Sequence, residues 1–448
     1  MKRKLALLLA LVLTVMSLAA CGSSKTESAS DATAPTETQG AAGGNGDSKH
    51  LIVAWWGNQT RNERTQAVLD LYSQQNPGIT FDGQFVEWND YWNKLATASA
   101  GHSLPDVVQM DYRYLEQYVS NGLLIDLKPY IENGTLDVSG IDESILESGS
   151  VDGGIYAISL GVNAPALLYN KTLLDEHGIE IKDNMTMDEF IDKCREIYEK
   201  TGYKTNVAYG NGDNFIEYML RSSGKILFEE GKLGVDSAEE LKPFFDIYEI
   251  GMKEGWHVDP GIFVERNISV EQEPIVYGSS PETMSWCAFY WSNQLTAVQN
   301  AAPEGMEIGI TTWPADNPKA ANYLRPSQFF SVTVDSKNPE EAVKFLNFFI
   351  NSVEANNILL GERGVPPVAS VAEAITPQLS DQEKLVIDYI NNVVTPNSSP
   401  INPPAPDSAV EIFDLIDKLE ERLCYGEITA AEAAQELFEQ GSKIMAGN

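Results

Sequence analysis

Leu51-Ile52-Val53-Ala54-Trp55-Trp56-Gly57 opens the part of this 448-residue chain that has the composition to fold. Six consecutive apolar residues stopped by glycine read as a strand buried on both faces. Outward from there, residues 61–74 carry Val68, Leu69, Leu71 and Tyr72 at helical spacing, and Asn76-Pro77-Gly78 stops the helix. Residues 79–86 alternate through Ile79, Phe81 and Phe85, the period of a second strand. Residues 90–100 read as a helix closed by Gly101, and Pro105-Asp106-Val107-Val108-Gln109-Met110 as a third strand. Strand, helix, strand, helix, strand is the pattern of a parallel α/β sheet.

The alternation continues downstream. Residues 155–160, 166–169, 305–313 and 328–334 are strand candidates, and 188–201 is a helix with Thr186 as its N-cap. Residues 241–254 form another helix, and 338–351 place Ala342, Phe345, Leu346 and Phe349 on one face. The end of the chain reads as two amphipathic helices near 409–425 and 429–445. Before them, 398–406 carries Pro400, Pro403, Pro404 and Pro406, an extended connection. A folded body of some 400 residues is too large for one small core, so two domains or more are expected.

Upstream the character changes. Met1-Lys2-Arg3-Lys4 is followed by an apolar run over 5–16, shorter than the roughly 20 residues of a spanning helix. With the small-residue ending Leu18-Ala19-Ala20-Cys21-Gly22, residues 1–20 read as a signal peptide. That ending resembles the lipobox of bacterial lipoproteins, in which the cysteine receives diacylglycerol; the alternative is an ordinary cleavable signal with a chance cysteine. Lipidation of Cys21 would make residues 21–49 an anchored tether. This stretch is rich in Ser, Thr, Ala and Gly and lacks Leu, Ile, Val and aromatic residues, so it cannot bury a core. Its root-mean-square reach is roughly 30 Å.

The formal charge of −34 argues against nucleic acid and against an anionic lipid surface as partners. Cys194, Cys287 and Cys424 are too widely spaced for a disulfide framework or a zinc pattern and read as mostly buried thiols, with one chance pair left open. The four histidines (50, 102, 177, 257) are equally scattered, and no metal site or cofactor is expected. There is no Gly-x-Ser-x-Gly elbow, His-Glu-x-x-His or Walker loop, and no dinucleotide fingerprint after the first strand. Paired carboxylates could serve a glycosidase, but among 65 acidic residues no pair stands out.

The tryptophans are more telling. Six of the eight fall in three runs, Trp55 with Trp56, Trp88 with Trp92, and Trp286 with Trp291, each at or just past a strand end. Ligands of open parallel sheets bind there, and an aromatic face suits a pyranose ring; for each tryptophan the alternative is core packing. Trp55 and Trp56 point to opposite faces, and Trp56, beside the Gly57 break, is the ligand candidate of the two.

Here the residues carry a family resemblance. Trp88-Asn89-Asp90-Tyr91-Trp92-Asn93-Lys94-Leu95-Ala96-Thr97, then 105–112, then Tyr169-Asn170-Lys171-Thr172-Leu173-Leu174-Asp175-Glu176-His177-Gly178-Ile179 resemble extracellular solute-binding proteins of family 1, the sugar-capturing subunits of ABC importers. Lys337-Asn338-Pro339-Glu340-Glu341-Ala342 and Gly361-Glu362-Arg363-Gly364-Val365-Pro366 match later segments. The resemblance spans about 51–445. It implies a two-lobed periplasmic-binding-protein-like α/β fold (type II) with the ligand in a cleft between lobes. The first lobe would take 50–162 plus 312–365 and the second 163–311 plus 366–448. It implies a carbohydrate ligand, ABC permease partners, a place outside the cytoplasm, and no catalysis; a monomer is expected. The family's Leu-Pro-Tyr-Gly-like turn is replaced by Ile158-Ser159-Leu160-Gly161-Val162-Asn163, which leaves Asn163 as a candidate contact.

The remaining candidates follow from position. Asp111 and Tyr112 come straight after the third strand; a carboxylate there can accept sugar hydroxyls or cap a helix. Asn58 and Gln59 occupy the first strand-to-helix loop. Trp88 and Trp92, four apart, offer one ring to ligand and one to the core. Trp286 and Trp291 should line the second lobe's side, where Asn293 reads as a helix cap. Arg325 and Arg363 would suit a uronic acid through bidentate pairing; structural ion pairing is the alternative, as it is for Arg61. Two other functions stay open: a non-sugar ligand such as a polyamine or peptide in the same fold, and a secreted glycan-degrading enzyme.

Overall fold

The computed structural model describes residues 48–57, 59–86, 88–229, 231–265, 270–406 and 408–447. The expected signal peptide, Cys21, nearly all of the tether and Asn58 lie outside these residues. The opening alternation folds as β1 (Lys49–Trp56), α1 (Gln59–Gln75), β2 (Ile79–Val86), α2 (Trp88–Ala100), β3 (Val107–Met110) and α3 (Tyr112–Ser120). β1 pairs in parallel with β2 from Lys49↔Ile79 to Trp56↔Val86, and on its other edge with β3 at Val53↔Val107. Parallel neighbours need crossovers, which α1 and α2 supply. Leu51, Val53 and Trp55 pack against Phe345, Leu346 and Phe349, while Ala54 and Trp56 pack with Tyr91, Leu95 and Met110 on the other face. Cover on both faces explains why β1 is apolar throughout rather than alternating.

The chain then forms β4 (Ile158–Ser159), β5 (Val162–Asn163), β6 (Pro165–Asn170), α4 (Met187–Thr201), α5 (Gly212–Ser222) and α6 (Lys242–Glu254). β7 (Cys287–Trp291), β8 (Ile308–Thr311), β9 (Arg325–Pro326), β10 (Phe329–Val332), α7 (Pro339–Asn351), α8 (Ala409–Cys424) and α9 (Ala430–Met445) follow. Thr186 does cap α4: its hydroxyl accepts from the Glu189 N–H while the Glu189 carboxylate accepts from the Thr186 N–H, an arrangement worth about 1 kcal/mol.

Strand direction differs from the all-parallel pattern. The first sheet has the order β2-β1-β3-β10-β4, and β10 runs antiparallel to both its neighbours. The second, β7-β6-β8, is antiparallel throughout. Apolar runs specify strands but not their sense. β10 reaches the first sheet only after the chain has visited the second, and it enters from the opposite end. The expected strand over 155–160 is also broken, into Gly154–Ile155 and β4.

The fold is two-lobed. Phe190, Trp286, Phe289 and Trp313 centre a second large core, to which Ala315, Ala321 and Tyr323 also belong. Between the sheets the linking stretches bond to one another. β5 pairs with β9 (Asn163↔Arg325), Val162 exchanges both backbone bonds with Val365 (2.8 and 3.1 Å), and the Ser327 N–H donates to the Gly161 carbonyl at 2.9 Å. Glycine is required at 161, where an added Cβ would collide with the Arg363 carbonyl. Among the described residues no helix is long and apolar enough to cross a membrane; Cys194 and Cys287 are buried free thiols, and Cys424 is buried as well.

Candidate functional site

The site is organised by α5, a helix the sequence reading did not single out. Asp213, Glu217 and Arg221 recur every fourth residue and so share one face, while Phe215, Ile216, Tyr218 and Leu220 anchor the helix in the core. Arg221 is buried and fully engaged. Its Nε donates to the Ala321 carbonyl (3.1 Å), one Nη to the Asn402 amide oxygen, and the other to the Ser399 hydroxyl (2.6 Å) and the Pro400 carbonyl (2.9 Å). Its guanidinium also stacks on the Tyr323 ring, 4.8 Å from the centroid. Arg221 therefore fixes the Pro-rich segment at the edge of the site.

Burial, then the like charge of Asp213, pushes Glu217 up to about 7 against the pull of Arg221 and Arg325. Asp213 is raised too, by burial and by Asp417, with Arg325 opposing. From the other body comes Tyr112, whose hydroxyl donates to the Asn402 carbonyl at 3.0 Å. Its phenol is pushed up to about 12, chiefly by burial and then by Glu116, while Arg221 and Arg325 lower it. Trp291 closes the arrangement at the end of β7. The exposed Arg325 guanidinium lies 4.7 Å from its ring centroid, and Trp313 and Tyr323 flank it at 6.1 and 6.2 Å. The structure thus brings together Tyr112, Trp291 and Arg325 and adds Asp213, Glu217, Arg221, Tyr323 and Asn402. The i, i+4, i+8 spacing of the three charged residues was the available sequence signal.

The other candidates stand elsewhere. Trp56 is 9% exposed inside an aromatic cluster, edge-on to Trp88 at 4.9 Å. Trp88 and Trp92 are half-buried in the same cluster, with Trp92 4.1 Å from Tyr114. Gln59 is the first residue of α1 rather than a loop residue, and its amide donates along the helix to Glu63 at 2.7 Å. Asp111 is the N-cap of α3, accepting from the Arg113 N–H at 2.9 Å. Asn163 is buried in the linking strands. Trp286 is a correction: it is fully enclosed, donates to the Thr205 hydroxyl at 2.8 Å and lines no cleft.

Arg363 is a second correction. Its backbone belongs to the linking stretches, but its side chain is 3% exposed and runs into the first core, donating to the Thr65 hydroxyl at 2.7 Å. Burial, and then the charge of Arg61, lowers its guanidinium to about 9, with Glu362 opposing. Arg61 pairs with Glu362 at 2.9 Å. Two cavities of about 470 and 280 Å³ lie apart from the site, one between α8 and α9 and one between β1, β2 and α2. Among the described residues no cluster of His, Cys, Asp or Glu is placed to hold a metal ion.

Carboxylates accept hydroxyl donors, a guanidinium donates to ring and hydroxyl oxygens, and an indole face packs on C–H surface. This chemistry suits polyhydroxylated ligands, and it agrees with the known proteins the chain is similar to. Residues 56–264 match the family described as bacterial extracellular solute-binding proteins. A lactose-binding protein of Rhizobium radiobacter is 26% identical over 310 residues, covering 66% of this chain and 69% of that one. A diacetylchitobiose-binding protein of Streptomyces coelicolor is 24% identical over 357 residues, covering 78% and 79%. A family 1 extracellular solute-binding protein from Alicyclobacillus acidocaldarius superposes with a TM-score of 0.80 at 24% identity, over 90% of this chain and 100% of that one. Through residues 56–264 the chain is similar to the bacterial extracellular solute-binding proteins.

Proposed function

We propose that this protein captures a sugar or oligosaccharide outside the cytoplasm and delivers it to the permease of an ABC importer. The observation that carries this reading is the meeting of Tyr112 from the first body with Asn402, beside the α5 carboxylates and Trp291 of the second and Arg325 of the linking stretches. A ligand seated there touches both bodies, so it favours the closed arrangement in proportion to its extra contacts in that state. We assign residues 50–162 with 312–365 to the first lobe and 163–311 with 366–448 to the second. The packing of Trp313 and Tyr323 into the second core favours placing the return crossing near residue 324 rather than 312. Residues 1–20 are a signal peptide in this reading, Cys21 carries lipid, and 22–49 tether a monomeric receptor beside its transporter.

A thermal-shift screen against oligosaccharides tests the function, because a ligand that binds only the folded state raises Tm. One glycan class should stabilise the protein, and a flat response across gluco-, galacto-, xylo-, manno- and arabino-configured glycans would count against the reading. The raised pKa of Glu217, which lets it hold a proton beside Asp213, gives the glycosidase alternative its one specific support; release of new reducing ends by the purified protein would establish that alternative.

A further inference from the structure

The charges around α5 narrow the ligand class. This step rests on the carbohydrate reading above. Of Arg221, Arg325 and Arg363, Arg363 points into the first core and is buried. Arg221 is held by acceptors on Ala321, Ser399, Pro400 and Asn402; turning to a ligand would leave the buried Ala321 and the half-buried Ser399 and Asn402 without this donor. Arg325 is the exposed one, set over Trp291 and acting on both Asp213 and Glu217. Two carboxylates and two guanidiniums therefore already compensate one another, with Asp417 adding a further negative charge near Asp213.

We propose that the cleft is built for uncharged, hydroxyl-rich glycans and rejects their uronate counterparts, with Glu217 as the residue that sets the discrimination. A neutral pyranose supplies O–H donors to Glu217 and Asp213, and such bonds to an ionised acceptor are the strong kind. A uronate in the same place sets a third carboxylate against these two. Like charges juxtaposed in a desolvated site are a strong element of rejection. For the bidentate Arg–carboxylate pairing that makes uronate binders effective, Arg221 and Arg363 are already engaged, and Arg325 is exposed and shared with two carboxylates.

The test is calorimetric titration at about pH 8, where Glu217 is ionised. Matched probes are neutral galacto- and gluco-oligosaccharides and the corresponding di- and trigalacturonate and cellobiouronate. The wild type should bind its best neutral glycan at least about tenfold tighter than the matched uronate. Glu217→Gln, checked for folding by circular dichroism, should shrink that ratio several-fold. A uronate that binds as tightly as its neutral counterpart, or an unchanged ratio in folded Glu217→Gln, overturns the proposal while leaving the carbohydrate reading in place. Absence of binding to every glycan of both kinds overturns the carbohydrate reading and this proposal with it.

Discussion

Trp286 and Trp291 lie on one short stretch of chain, yet the structure gives them opposite jobs, and alanine at each should separate stability from binding. Trp286 is fully enclosed and its indole N–H bonds Thr205, itself buried. Truncating it costs about 3–5 kcal/mol for the cavity, plus about 1 kcal/mol or more for the stranded hydroxyl. Trp291 is half-buried and seats the Arg325 guanidinium at 4.7 Å. Its loss removes a stacking face worth on the order of 1 kcal/mol and a cation–π contact worth about 0.5–1 kcal/mol. The cation–π contact is made without ligand and counts toward stability, so the stacking face alone, about 1 kcal/mol, gives roughly a 5-fold rise in Kd. The assay pairs urea unfolding with calorimetric titration of the glycan found in the screen. Trp286→Ala should lower the urea midpoint sharply while its folded fraction binds normally. Trp291→Ala should keep its unfolding free energy within about 1 kcal/mol of wild type and bind weakly. The reasoning fails if Trp291→Ala binds like wild type, or if Trp286→Ala loses affinity with its midpoint intact.

Tyr112→Phe deletes the 3.0 Å bond that joins the two bodies through Asn402; a loss of about 0.5–1.5 kcal/mol should weaken glycan binding roughly 2–10-fold, and unchanged affinity would remove Tyr112 from the closing contact. Glu273 is 4% exposed, held by Asn206 and Tyr290, and burial pushes it up to about 7 although both bonds pull it down. Its folded form keeps a proton that the unfolded chain releases from about pH 4.5, so this contribution to stability is lost as pH rises through about 7. His257, lowered to about 4 by burial, acts in the opposite sense, its contribution lost as pH falls through about 4. Urea midpoints across pH 4–8 should rise more steeply with pH in Glu273→Gln than in wild type; parallel profiles would contradict the assignment. Cys21→Ser should move the mature protein from the detergent phase to the aqueous phase in whole-cell fractionation, and retention in the detergent phase would refute lipidation at Cys21.

What the sequence made legible is local. The stops at Asn76-Pro77-Gly78 and Gly101, and the Thr186 cap with Glu189 behind it, place α1, α2 and α4 within a few residues of their observed bounds. β1 and β3 were equally plain because both of their faces are buried, and β2 because its apolar residues alternate with exposed ones. What failed depends on contacts distant in the chain. Trp286 and Trp291 look alike in sequence, and only the approach of Thr205 and Phe190 buries the first. Arg363 sits in a glycine-flanked loop that reads as exposed until α1 and β3 close over its side chain. α5 escaped notice because it starts at Gly212 with no side-chain cap from Asn211, and its charged stripe resembles a solvated face. That stripe instead faces Arg325 and the Pro-rich segment.

Native mass spectrometry of the purified protein with a mixture of intact oligosaccharides tests the central claim most directly, since it reads binding and chemistry in one spectrum. A single 1:1 non-covalent complex is expected, its added mass that of an unmodified glycan, and it should weaken in Trp291→Ala at the same concentration. No adduct with any glycan, or an adduct or free species with the mass of a cleaved product, would contradict it.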